Sequence, residues 1–195
     1  MDTLSNESIR QIAFETTGQR YNPYWSEMRQ GRLTASNFGK AIRAADTHHP
    51  TAVNALKDAI FNPRSLDHVK AVQWGCQNES KGVDLYGQRT GKIVKPTGLW
   101  MFANGMLCAA PDGVVFEKEH ITVPIGILEV KCPYSIRDTP INGDADWNKN
   151  LPYLDENNNL KHTDSFEVSI QQSHTMEPRL PPLSLALDGN SHVCV

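Results

Sequence analysis

Several absences narrow what this chain can be. No run in its 195 residues approaches the roughly 18 apolar residues of a membrane-spanning helix, so no membrane partner is expected. The opening MDTLSNESIR has neither a basic start nor an apolar stretch, so no secretion signal is expected and the protein is read as intracellular, not secreted. Cysteine is sparse: four residues, at 76, 108, 132 and 194, with no CxxC pair and no paired histidine at zinc-finger spacing. That argues against a disulfide scaffold or a zinc module, and for reduced thiols. Neither sign of charge dominates. Nineteen Lys and Arg against 22 Asp and Glu give a net charge of −3, which excludes a histone-like wrapper whose bulk positive charge supplies affinity. It does not exclude a DNA enzyme with an acidic active site. Repeats and low-complexity tracts are also missing.

What is present is enough for a packed domain, with 39% hydrophobic and 8% aromatic residues. Charge is uneven. Residues 1–70 carry 9 basic and 7 acidic groups, and residues 71–195 carry 10 and 15. The stretch 19–43 sets Arg20, Arg29, Arg32, Lys40 and Arg43 against Glu27 alone.

Helical signals fill the first ninety residues. Ser5 or Asn6 can cap a helix through Ile9, Ile12 and Ala13 that ends near Gly18. Thr34 or Ser36 can cap a second through Phe38, Ala41 and Ile42. Residues 52–61 fit a third, and Ser65 can open a fourth, closed by Gly87 or Gly91. His48-His49 reads as a solvated loop. After Gly91 short β-rich runs alternate with Gly, Asn-Gly, Pro-Asp-Gly and Pro, a meander of about four or five strands. A short helix is expected at 164–173. The reading is one α/β (α+β) domain over 1–176, a central mixed β-sheet flanked by helices, and a Pro/Ser-rich, irregular tail over 177–195.

Four pieces carry chemistry. Along Ile127-Leu128-Glu129-Val130-Lys131, strand alternation sends Leu128 and Val130 into the core and Glu129 and Lys131 to the other face. Taken alone, that pair favours a surface salt bridge. It also suits a metal-ligating carboxylate beside a cation that stabilises charge on a phosphate. Pro111-Asp112-Gly113 is a common turn, in which Asp112 caps its own backbone. Alternatively, Asp112 presents a carboxylate facing Glu129, a hard-oxygen pair suited to Mg²⁺. Glu79 falls on the helical face that carries Val72, Val83 and Tyr86. Pointing inward, it needs a basic partner or a metal. Arg29 with Thr34 and Ser36, in the most basic stretch, forms either ordinary helix capping or a phosphate cradle; the local charge favours the cradle.

In order, the chain reads W-x3-R-x-G-R-L-T-A-S, then W-G-x3-E, then P-D-G, then L-E-V-K-C-P. This ordered set resembles the bacteriophage lambda exonuclease and YqaJ-type viral recombinase family, of the PD-(D/E)XK nuclease superfamily, over about residues 25–135. The resemblance implies a restriction-endonuclease-like core and a Mg²⁺-dependent deoxyribonuclease, with Mn²⁺ as a substitute metal. It further implies 5′-to-3′ digestion of linear double-stranded DNA in viral recombination. By position it implies that Asp112, Glu129, the Val130 carbonyl and Glu79 hold metal, that Lys131 is the catalytic lysine, and that Arg29 and Ser36, with Thr34 and Arg32 alongside, hold the 5′-phosphate end. Gln171 is the nearest match to a later Gln-x-Gln element, whose first Gln is replaced by Ser169. The chain then ends in the Pro-rich tail where the family continues with a further lobe, so a shortened C-terminus is expected. Implied partners are DNA ends, a single-strand annealing protein and a ring trimer, in the cytoplasm or nucleus of an infected host. Three rival readings stand beside this one: an endonuclease on the same core, an RNA-degrading alkaline nuclease, and a non-catalytic DNA-end-binding module.

Overall fold

The computed structural model describes residues 3–138, and the backbone of two strands at Ala186–Asp188 and Ser191–Cys194. The expected helix at 164–173, with Ser169 and Gln171, lies outside the described residues. The chain divides into two compact units.

The first unit comprises residues 3–64 and Pro96–Pro111. Its first helix, α1 (Asn6–Glu15), is capped as expected: the Ser5 hydroxyl accepts from the Ser8 N–H at 3.0 Å. Ile9, Ile12 and Ala13, at helical spacing, are its buried face. A short helix the sequence reading did not anticipate follows, α2 (Pro23–Arg29). It has Pro at its first position, and the Asn22 side chain accepts from the Tyr24 N–H. Strand β1 (Leu33–Thr34) leads through a 3-10 turn (Ala35–Asn37) into α3 (Phe38–Thr47) and then α4 (Pro50–Phe61). Asn37, rather than Thr34 or Ser36, flanks the start of α3 proper. His49 does more than line a loop, since its Nδ1 accepts from the Thr51 N–H at the start of α4.

Two strands from the later part of the chain belong to this unit. Strand β4 (Leu107–Ala109) pairs in parallel with β1 and antiparallel with β3 (Trp100–Met101). Ile12 of α1 packs on Leu99, Met101 and Cys108, with Leu4, Trp25, Met28 and Ala110 around them. Burying a side chain the size of Leu99 contributes about 1.5–3 kcal/mol.

Thr16 is fully buried and locks α1 to the segment before β3. Its hydroxyl donates to the Ile12 carbonyl at 2.6 Å and accepts from the Leu99 N–H at 2.7 Å. The Gly98 N–H donates to the Ala13 carbonyl at 2.9 Å. That approach is possible only without a side chain, because a Cβ on Gly98 would lie 2.2 Å from Thr16 Oγ1 and 2.6 Å from the Ala13 oxygen.

The second unit comprises residues 65–95, residues 112–138 and the two C-terminal strands. Its helix, α5 (Lys70–Thr90), starts later than the Ser65 expectation, because the Ser65 hydroxyl is taken by Asp67, through its carboxylate and its N–H. It ends at Gly91, whose φ of +69° is the left-handed C-cap glycine serves best. Its buried positions Asn78, Gly82 and Tyr86 recur every four residues.

The sheet runs β2–β5–β6–β8–β7, antiparallel throughout: β2 is Ile93–Lys95, β5 Gly113–Glu117, β6 His120–Val130, β7 Ala186–Asp188 and β8 Ser191–Cys194. Tyr86, Val115, Leu128 and Val130 form its core. The mixed α/β class holds. The strands after Gly91, however, do not form one meander, since β3 and β4 join β1 in a separate three-stranded sheet.

Gly98→Ala is expected to lower stability by about 1–3 kcal/mol, because backbone atoms rather than a flexible side-chain end occupy the space its methyl would need. Chemical denaturation checks this; an unchanged midpoint would mean that α1 shifts to accommodate the group.

Candidate active site

Strand β6 alternates as its sequence demands. Gly126, Leu128 and Val130 are buried, while Ile127 and Glu129 are only partly covered on the opposite face. The register pairs Gly113 with Leu128, which brings Asp112, just before β5, alongside the end of β6. Asp112 does not cap its own turn. Its Oδ2 accepts a hydrogen bond from the Val130 N–H, extending the strand pairing through a side chain. Lys131 donates to Glu129 Oε1, and both side chains are about one-third exposed, at 32% each.

The electrostatics around Asp112 are unusual. Its carboxyl is pushed up to about 7, first by burial, then by the neighbouring charge of Glu129. Glu79 on α5 adds to the rise, while the Val130 N–H and Lys131 oppose it. Glu129, Glu79 and Lys131, named from the sequence with Asp112, thus each bear on the Asp112 carboxyl, and Glu129 and Lys131 also pair directly. Glu79 is half-buried, flanking the buried Asn78–Gly82–Tyr86 stripe rather than lying at its centre.

Carboxylate oxygens are the donor chemistry that suits a hard divalent cation such as Mg²⁺. Among the described residues no three His, Cys, Asp or Glu side chains are already gathered as a metal cage, and Glu129 is turned onto Lys131. The donor chemistry fits such a cation, and Glu129 would have to leave Lys131 to help hold it.

The residues named for anion binding lie in the first unit. Arg29 ends α2 with its Cζ 3.9 Å from the Trp25 ring centroid. Burial pushes its pKa down, and among the described residues it forms no ion pair with a carboxylate. The Thr34 and Ser36 hydroxyls are 2.9 Å apart. Asn37 Nδ2 donates to Thr34 Oγ1 at 3.1 Å, and Lys40 Nζ donates to Asn37 Oδ1 at 2.9 Å. Ser36 is exposed and Thr34 is buried.

Arg32 is differently employed. Its guanidinium donates to the Gly105 carbonyl at 2.9 Å and the Met28 carbonyl at 2.7 Å, which ties the end of α2 to the turn before β4. Cys108, paired with Thr34 across the sheet, is pushed up to about 11 by burial, against the pull of Arg29 and Arg32, so it stays a thiol. Sequence reading assigned no role to Trp25 or to the Lys40–Asn37 link. The i, i+4 spacing in W-x3-R and the i, i+3 spacing of Asn37 and Lys40 were the available signals.

The YqaJ-like viral recombinase domain matches residues 24–151. No curated protein matches the chain. Among solved structures, it is similar to an alkaline exonuclease from Laribacter hongkongensis, with 25% identity and a TM-score of 0.42 over 57% of this chain and 53% of that one. The same exonuclease in complex with dAMP gives 26% identity and a TM-score of 0.40 over 56% and 53%. The chain thus spans about half the length of these structures.

The raised Asp112 carboxyl has a consequence for stability. Its folded pKa lies above its unfolded value of 3.8, so it costs nothing below about pH 4. The cost grows as pH rises to about 7 and stays constant above that. In EDTA at pH 8, Asp112→Asn is expected to stabilise the protein by about 1–2 kcal/mol after allowance for solvent screening, raising its melting temperature by about 2–8 °C. The gain should shrink toward pH 4 in thermal melts; a variant less stable than wild type at pH 8 would contradict the charge-crowding account.

Proposed function

The chain belongs to the family of YqaJ-like viral recombinase domains, and from that premise we propose that it is a metal-dependent nuclease of the PD-(D/E)XK type, degrading linear double-stranded DNA from its 5′ ends. The observation that carries the reading is the electrostatic pressure of Glu129 and Glu79 on a half-buried Asp112, with Lys131 opposing it. That arrangement is unfavourable without a cation and suits one that carries phosphate chemistry.

Asp112 and Glu129 supply carboxylate oxygens for Mg²⁺, or Mn²⁺ in its place, with the Val130 carbonyl and Glu79 as further donors. The bound cation contributes Lewis acidity toward phosphate oxygens and water. The Val130 N–H holds Asp112 in one orientation through Oδ2 and leaves Oδ1 available. Lys131, released from Glu129, sets its ammonium against the charge that develops on the phosphate during hydrolysis. Arg29 and Ser36 grip the terminal phosphate, with Thr34 orienting the Ser36 hydroxyl, which makes cleavage depend on a free 5′ end. Arg32 supports this group by holding α2 in place.

Residues 1–176 are read as one nuclease domain and 177–195 as its tail, with Gln171 as a further polar contributor. The biological setting that follows is recombination inside an infected cell. The partners proposed are DNA ends, a single-strand annealing protein and further copies of the chain in a ring trimer.

Incubation with 5′-phosphorylated linear duplex is expected to release nucleotides from the 5′ end with Mg²⁺ and to stop with EDTA, while closed circles survive. Lys131→Ala and Asp112→Asn should each lose at least about 10²-fold in cleavage rate, with duplex binding retained. Cutting of closed circles would replace the exonuclease with an endonuclease, and preference for RNA would change the substrate. End binding without any cleavage would leave a non-catalytic module.

A further inference from the structure

Trp25 lies one turn before Arg29 on α2, and its surroundings are specific. The indole packs against the buried cluster of Ile12, Leu99, Met101 and Cys108. Its ring carries the Arg29 guanidinium, 3.9 Å from the centroid. Its Nε1–H is buried and has no acceptor among the described residues.

A buried donor without a partner destabilises a fold, and phenylalanine would fill this position without that defect. What an indole offers beyond a phenyl ring is the strongest π face for a cation. A carboxylate in this place would also hold the guanidinium, but it would cancel the charge. The π face holds the group and leaves the charge free for an external anion, and the rigid core behind the ring fixes where that charge sits.

We infer that Trp25 is the positioning residue of the anion subsite. It holds Arg29 by its ring, uncompensated by any carboxylate among the described residues, for a phosphate monoester at the end of a nucleic-acid strand. The inference rests on the nuclease reading above and adds to it a residue that touches no substrate. In this arrangement Trp25 contributes discrimination between a phosphorylated and an unphosphorylated end, not general affinity for duplex.

The test compares binding of the full-length protein to a short duplex bearing 5′-phosphates and to the same duplex bearing 5′-hydroxyls, by fluorescence anisotropy in EDTA. Wild type is expected to favour the phosphorylated duplex. Trp25→Leu keeps an apolar side chain in the core and removes the π face; it should lose about 3–30-fold of that preference, with affinity for the hydroxyl duplex unchanged. Trp25→Phe should restore much of the preference, and circular dichroism melts check that both variants fold. Full preference retained in Trp25→Leu would overturn the positioning role alone. Wild type binding both ends equally would overturn the phosphate reading of Arg29 and this inference with it.

Discussion

The accumulation of negative charge where the start of β5 lies beside the end of β6 is the constraint around which the second unit is organised. Asp112 sits where burial and two neighbouring carboxylates all oppose its ionisation, and only the Val130 N–H and the Lys131 ammonium favour it. A protein selected for stability alone would place an amide or an apolar residue there. Strand pairing explains how the arrangement is imposed: with Gly113 opposite Leu128, the residue before β5 must face the residue after Leu128. The core side chains Leu128, Val130 and Val115 hold that register, so hydrophobic packing on one face fixes the charges on the other.

Much of this was legible in the sequence because it depends on period-two alternation and short-range signals. Leu128 and Val130 inward, Glu129 and Lys131 on the other face, Ser5 as a cap and Gly91 as a terminator all rest on local rules. What escaped is non-local or set by competition for one group. Strand β1 has two residues, too few for a pattern, and its partner β4 lies some seventy positions later. The assignment of β3 and β4 to a separate sheet follows from that pairing. Helix α2 was hidden by its brevity, although Asn22 and Pro23 mark its start. Arg32 stood out in the sequence as one of several arginines in a basic stretch. Carbonyls of Gly105 and Met28 claim it instead, which no charge count could foresee. The turn reading of Asp112 failed for the same kind of reason, since a backbone donor on the adjacent strand competes for its carboxylate.

The two units solve the problem of holding an unbalanced charge differently. In the second, carboxylates crowd one another and a lysine partly offsets them. In the first, a partly buried guanidinium rests on an aromatic face. The proposed metal and phosphate would each meet one of these charges. Family membership over residues 24–151 spans both.

The β5–β6 hairpin carries one more consequence. Its register shifts between Val115 and Phe116, and beyond the shift Phe116 pairs with Pro124. The outer half of β6 leaves Ile121 and Val123 exposed, and among the described residues β8 meets β6 at Glu129 and Val130. A margin left open among the described residues is a place where further strands can pair, and a proline within it has no N–H to give to such a ladder. Pro124 thus takes one donor out of the strand close to where its register with β5 shifts, which makes this stretch a poorer template for a regular ladder.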